Sequence, residues 1–155
     1  MKLFYKIFII LGLIIFLAVI LFTLVLVWKM PYNNLYLINF RKSFSAFTYY
    51  MHPRQSYLIT DVAELGNWAN GNQCQFFAGQ FRLSELSKET IRQSYFKESM
   101  STGVYFLDED VFNHSPWSEW KEKYLGNYVS QKDKNIYLVW VSDDNNLPDG
   151  DIRCH

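Results

Sequence analysis

The sequence predicts an α+β protein in which an N-terminal transmembrane helix is followed by a small antiparallel or mixed sheet with two or three helices. Three observations carry this. Residues 7–28, from Ile7 to Trp28, form an uncharged run of 22 between Lys6 and Lys29. The chain beyond that run alternates β-leaning with helical stretches in the order β-β-α-β-α-β, which also suggests helices packed on one face of the sheet. Aromatic residues make up 19% of the chain and are spread through the part after the run, supplying core material for one domain.

At 1.5 Å per residue, a helix from Ile7 to Trp28 covers about 33 Å, enough to cross a hydrocarbon core of about 30 Å. Tyr5 and Trp28 sit at the two ends, where amphipathic rings prefer the headgroup level. The competing reading is a cleaved signal peptide, whose apolar stretch is shorter and ends in a small-x-small site. Here the exit reads Val25-Leu26-Val27-Trp28-Lys29-Met30-Pro31, with no small pair, and the first cysteine is Cys74. An uncleaved anchor is therefore expected. Gly12 has Phe8 and Phe16 at four-residue spacing, so the run offers no small-xxx-small pair for a partner helix. It also carries no intramembrane charge to mark a transport path.

Orientation follows from the flanks. Lys2 and Lys6 precede the run, while Lys29, Arg41 and Lys42 follow it, so the basic count is close to balanced. A short lysine-bearing head is the usual N-inside arrangement. The expected location is the inner (cytoplasmic) membrane, single-pass, with a cytoplasmic N-terminus and a periplasmic or extracellular C-terminal domain. Three regions are expected: a head and anchor over 1–30, a membrane-proximal amphipathic helix over 31–52, and an α+β domain over 53–155.

The whole chain has 15 basic and 15 acidic residues. Removing Lys2, Lys6 and Lys29 leaves 12 against 15, or −3. The part beyond the anchor is thus too acidic for a nucleic-acid surface, and no nucleic-acid partner is expected. The lipid bilayer, through residues 7–28, is one expected partner; an envelope protein is the other.

Along the chain, Pro31, Tyr32, Asn33 and Asn34 are expected to break the helix at the membrane surface. Tyr36, Phe40, Phe44, Phe47 and Met51 then form an apolar helical stripe that His52-Pro53 ends. It would either lie along the headgroups, with Arg41 and Lys42 near phosphates, or form one face of the domain core; the few charges backing it favour the core. Tyr57–Val62 reads as a strand, and Gly66, Asn67, Asn70, Gly71 and Asn72 as a turn. Gln75–Leu83 is a second strand, with Phe77, Gly79 and Phe81 on one side. Ser87 caps a helix from Lys88 to about Glu98, and Val104–Leu107 is a strand. Ser115-Pro116 starts a helix that runs to about Tyr124 and stops at Gly126-Asn127. Ile136–Val141 is the clearest strand.

Cys74 and Cys154 are the two cysteines. In an oxidising compartment an even pair invites a disulfide, and closing a loop of about 80 residues contributes about 4 kcal/mol in the chain-entropy model. Two rivals stand beside it. Cys74, Cys154 and His155, completed by His52 or His114, would make a metal site, although no spacing rule selects the fourth ligand. Two free thiols would be required if the domain faced the cytoplasm.

The stretch Gly66-Asn67-Trp68-Ala69-Asn70-Gly71-Asn72-Gln73-Cys74, then Phe76-Phe77-Ala78-Gly79, and the ending Asp151-Ile152-Arg153-Cys154-His155 resemble a group of small bacterial membrane-anchored proteins of unknown function. The resemblance covers about His52 to His155. It implies the membrane location and the pairing of the two cysteines, and no activity. Members often carry His where this chain has Gln73, which weakens a metal reading.

Catalytic signals are thin. Asp108, Glu109 and Asp110 near His114 could supply general acid-base chemistry, but three acids after a strand are more often a solvated turn. Neither a Gly-x-Ser-x-Gly elbow nor a phosphate-cradling glycine loop is present. Asp143, Asp144, Asn145, Asn146, Asp149 and Asp151 form an oxygen-rich loop, yet aligning Gly150 with the EF-hand glycine puts Leu147 at a ligand position. No catalytic, metal or cofactor site is therefore assigned. The expected role is an envelope interaction or structural module, with an enzyme around Asp108–His114 or a metal-binding envelope protein as the alternative.

Overall fold

The computed structural model describes residues 2–66, 74–96, 102–114, 117–126, 134–143, 148 and 151–154. Helix α1 spans Lys2–Val27 and α2 spans Lys29–Thr48, separated by Trp28 alone. Trp28 itself has helical angles (φ −63°, ψ −27°), so the chain leaves the apolar run as one long helix. This corrects the expected break at Pro31–Asn34. Pro31 lacks the N–H that would bond to the Val27 carbonyl, and the helix shows this only as a one-residue interruption at Trp28, whose backbone stays helical.

The other elements are β1 (Ser56–Gly66), β2 (Gln75–Ser84), α3 (Lys88–Tyr95), β3 (Gly103–Phe106), a 3₁₀ turn (Asp110–Asn113), α4 (Trp117–Trp120) continued by a π-helical turn (Lys121–Leu125), β4 (Asn135–Asp143) and a final 3₁₀ turn (Ile152–Cys154). Ser87 caps α3 as its sequence position suggested, its Oγ accepting the Thr90 N–H. After the π-helical turn Gly126 adopts φ 51°, a conformation that side chains other than glycine rarely take. The Ser115-Pro116 helix start and the turn at 67–73 lie outside the described residues.

The four strands form one antiparallel sheet in the order β1-β2-β4-β3. Its two central strands are buried on both faces. On one face Phe77, Phe81, Leu83, Ile136 and Leu138 pack with Phe112, Trp117, Trp120 and Leu125. On the other, Ala78, Tyr137, Val139 and Val141 pack with Phe44 of α2 and with Ile91 and Tyr95 of α3. Helices therefore cover both faces, not one. The unbroken apolar run of β4 is the physical sign of this, because a strand with one wet face alternates with polar residues.

The stripe on α2 belongs to the core. Phe44 and Thr48 are buried, the Tyr36 ring centroid lies 4.5 Å from that of Phe76, and Phe40 and Met51 pack against the second core. Arg41 pairs with Asp61 at 3.1 Å instead of reaching toward lipid phosphates. The long helix is thus both the apolar segment and a structural element of the domain.

Candidate functional site

The residues that the sequence singled out at the C-terminus converge on α2. Cys74, at the start of β2, is bonded to Cys154, with Cα atoms 5.3 Å apart. Three residues earlier the Asp151 side chain is fully enclosed. Arg153 holds it bidentately, Nε at 2.8 Å from one oxygen and Nη2 at 2.6 Å from the other, while the Arg153 backbone N–H donates to it at 3.1 Å. Asn33 of α2 donates to the same carboxylate at 3.0 Å, and Arg153 Nη1 donates to Asn34 at 2.7 Å. Hydrogen bonding to Arg153, reinforced by Asn33, holds the Asp151 carboxyl well below the usual range. One helical turn further along α2, the Tyr36 hydroxyl donates to Asp143 at the end of β4.

The tail is therefore a strap, bonded covalently to the sheet and polar-clamped to the helix. This settles what Asp143 and Asp151 of the oxygen-rich loop do, since both accept hydrogen bonds from α2; positions 144–147, 149 and 150 lie outside the described residues. So does His155. With Cys74 and Cys154 bonded to each other, neither offers a thiolate to a metal.

The acidic turn has a fastening role. Asp108 accepts from Lys88 at 2.5 and 2.8 Å, Glu109 pairs with Arg92 and accepts the Phe106 N–H at 3.0 Å, and Asp110 accepts from Asn113 at 3.3 Å. Lys88 and Arg92 lie on α3, so the first two carboxylates tie α3 to the end of β3. His114 is exposed, at the end of the 3₁₀ turn. A surface cleft of about 280 Å³ beside this turn is lined by Leu107, Asp108, Lys121, Lys134, Asn135 and Ile136.

A second polar constellation, which sequence reasoning missed, lies between α2, β1, α3 and the sheet. His52 Nδ1 is 2.7 Å from the Tyr95 hydroxyl, which is 3.1 Å from that of Tyr137, itself 2.5 Å from Ser56 Oγ. Arg82, only 7% exposed, donates to Ser56 Oγ and to the Ser56 carbonyl, and reaches Gln80 at 2.8 Å. Gln80 in turn donates to Asp61 at 3.0 Å, so the buried guanidinium meets its counter-charge through an amide. Burial, with Arg82 nearby, lowers the His52 pKa to about 4; burial and Tyr137 raise that of Tyr95. Both groups are neutral near pH 7. The sequence signal was Gln80 and Arg82 at alternate positions of an otherwise apolar strand, which places two polar groups on one face.

No protein family, curated protein or solved structure matches this chain. The reading of function therefore rests on the chain's own sequence and contacts. Both constellations join the long helix to the sheet, and neither presents a nucleophile beside a free base.

Proposed function

We propose that this protein is a single-pass, signal-anchored module. Its α+β domain is held outside the cytoplasm at the surface of the inner membrane, where it serves as an interaction or structural element of the envelope. Support for the membrane begins with the one helix among the described residues that is long and apolar enough to span it, whose side chains from Phe4 to Leu24 are exposed throughout. The observation that carries the reading is that the same helix continues into the domain core. Asn33 is buried only five residues beyond Trp28, about 8 Å along the axis, which leaves no room for a flexible linker. A domain joined in this way keeps a fixed height and attitude over the bilayer, as suits presenting a surface to a neighbour.

The disulfide supports the outward orientation, because such bonds persist in oxidising compartments. The short head with Lys2 and Lys6 agrees. Topology reporters test both. Alkaline phosphatase fused after His155 is expected to be active, and a fluorescent protein that matures only in the cytoplasm is expected to stay dark there. The reverse pattern refutes the orientation.

A further inference from the structure

We infer that the membrane-proximal end of the domain rests in the phospholipid headgroup layer, where Lys29 and Arg153 bind lipid phosphates. This rests on the membrane-anchor reading above. Cover on the long helix begins as soon as it leaves the apolar run. Val27 and Trp28 are exposed, Lys29 and Met30 are half-buried, and Asn33 is buried on Asp151. The domain therefore stands on no stalk. Its other end lies well above the membrane: Tyr57 pairs with Leu83, about 27 Å along β2 from Gln75, and Lys88 starts α3 just past that strand.

Height along the helix decides which groups meet lipid. A bilayer about 40–45 Å thick with a hydrocarbon core of about 30 Å has a headgroup layer of roughly 5–8 Å on each side. Lys29 and Met30 stand about 2–3 Å beyond Trp28 along the axis, inside that layer. Asn34 stands about 9 Å beyond it, at the outer edge. Helical side chains lean toward the N-terminus, however, so Asn34 Oδ1 sits lower than its own Cα. The Arg153 guanidinium, which donates to that oxygen at 2.7 Å, is held at the same level, within the layer. Tyr36, and with it Asp143, is about 12 Å past Trp28 and above the phosphates.

Charge names the lipid group. Lys29 has no carboxylate partner among the described residues, and its ammonium lies 5.5 Å from the centre of the Trp28 ring. Arg153 uses Nε, Nη1 and Nη2 once each on Asp151 and Asn34. A guanidinium has five N–H groups, so one remains on each Nη, on a side chain one-third exposed. Asp151 itself is fully enclosed, which leaves the cations as the outward-facing charges of this clamp. Phosphates are the negative groups of the layer they enter, and basic side chains at that depth bind them. Arg41, about 20 Å past Trp28 and paired with Asp61, takes no part.

Photolabelling of the full-length protein tests this, in vesicles of phosphatidylethanolamine and phosphatidylglycerol that contain a phosphatidylglycerol analogue with a photoreactive headgroup. Flotation of the same vesicles reads membrane insertion. Label is expected at Lys29 and Arg153 and not at Tyr57 or Lys88. Inserting seven helix-forming residues between Trp28 and Lys29 lifts the domain by about 10 Å while turning it only about 20°. The label at Lys29 and Arg153 should then be lost, with no change to the domain itself. Lys29→Gln leaves the Asp151 clamp in place and should lower the label at Arg153 about fivefold. Cys74 and Cys154 should stay protected from thiol labelling in every form, which reports an intact domain. Protein that floats but carries no more label at Arg153 than at Tyr57 overturns the contact and leaves the anchor standing. Label that survives the lift, or that is indifferent to Lys29→Gln, overturns the contact as well. Protein absent from the floating fraction overturns both readings.

Discussion

Asn33 and Asp151 meet across 118 positions of sequence, the amide of the first donating to the carboxylate of the second at 3.0 Å, and both side chains are buried. One belongs to the helix that leaves the apolar segment and the other to the last turn of the chain. The contact therefore closes the domain on its own anchor. Arg153 completes it by neutralising the carboxylate from the solvent side, its side chain one-third exposed against an enclosed Asp151.

Removing the carboxylate leaves a buried amide without its acceptor and an arginine without its partner. Asp151→Ala is expected to lower stability by about 2–3 kcal/mol, and Asn33→Ala by about 1–2 kcal/mol. Because the two share one contact, the double variant should cost less than the sum, with a coupling of about 1 kcal/mol. Urea unfolding of the detergent-solubilised protein, followed by tryptophan emission, measures all three; strict additivity would refute the clamp.

The covalent half of the strap has its own expected outcome. Cys74→Ser and Cys154→Ser should each lower stability by about 2–5 kcal/mol, and the double variant should be little worse than either. Thiol labelling of the denatured, unreduced protein should find no reactive cysteine. Two reactive thiols there would remove the bond and, with it, the main support for an oxidising location.

Gly103 and Trp140 make a tighter prediction. They are paired across β3 and β4, and a Cβ on Gly103 would lie 2.2 Å from the indole ring. The ring cannot simply swing away, because it stacks on Phe77 at 5.1 Å and packs on Trp117 at 5.7 Å. Gly103→Ala is expected to cost about 1–3 kcal/mol and to shift tryptophan emission. The indole N–H of Trp140 is buried without a partner, so Trp140→Phe removes an unsatisfied donor along with some packing. Combined with Trp140→Phe, Gly103→Ala should cost clearly less.

The fold class and all four strands were legible because they depend on local patterning. Ile136–Val141 is apolar at every position, Phe76–Gly79 is apolar within Gln75–Leu83, and Ser87 announces a helix start by itself. The covering of both faces was written in Ile136–Val141, since a strand without polar alternation has no wet side. What stayed hidden depends on long-range placement. Pro31 reads as a breaker because its missing N–H is a local signal, whereas the burial of Asn33, Phe44 and Thr48 that holds the helix beyond it is not. Asn33 looks like a turn residue until Asp151 is placed against it. The acids at Asp108 and Glu109 looked available for chemistry because their partners, Lys88 and Arg92, sit about 20 positions earlier on another element. The cysteine pair was the one long-range contact accessible from composition, since with two cysteines only one pairing exists.

His52 sets the pH dependence. Its ring bonds to Tyr95 and lies near Arg82, Gln80 and Asp61, and burial followed by the Arg82 charge lowers its pKa from 6.5 to about 4. The folded protein therefore holds His52 neutral where the unfolded chain already binds a proton. Between about pH 6.5 and 4 the unfolded state carries the extra proton, so stability must fall as pH falls across that window. Above pH 6.5 the contribution is fully present; its total is about 2–3 kcal/mol once the remaining contact of the ring with water is allowed for. Asp151 acts in a separate window, because its depressed carboxyl loses stability only as pH drops below the ordinary carboxylate range. Urea midpoints measured from pH 7.5 to 4 should decline for the wild type. His52→Gln should flatten that decline, keeping a neutral side chain beside Tyr95 that does not titrate. An unchanged slope in His52→Gln would assign the effect to another group.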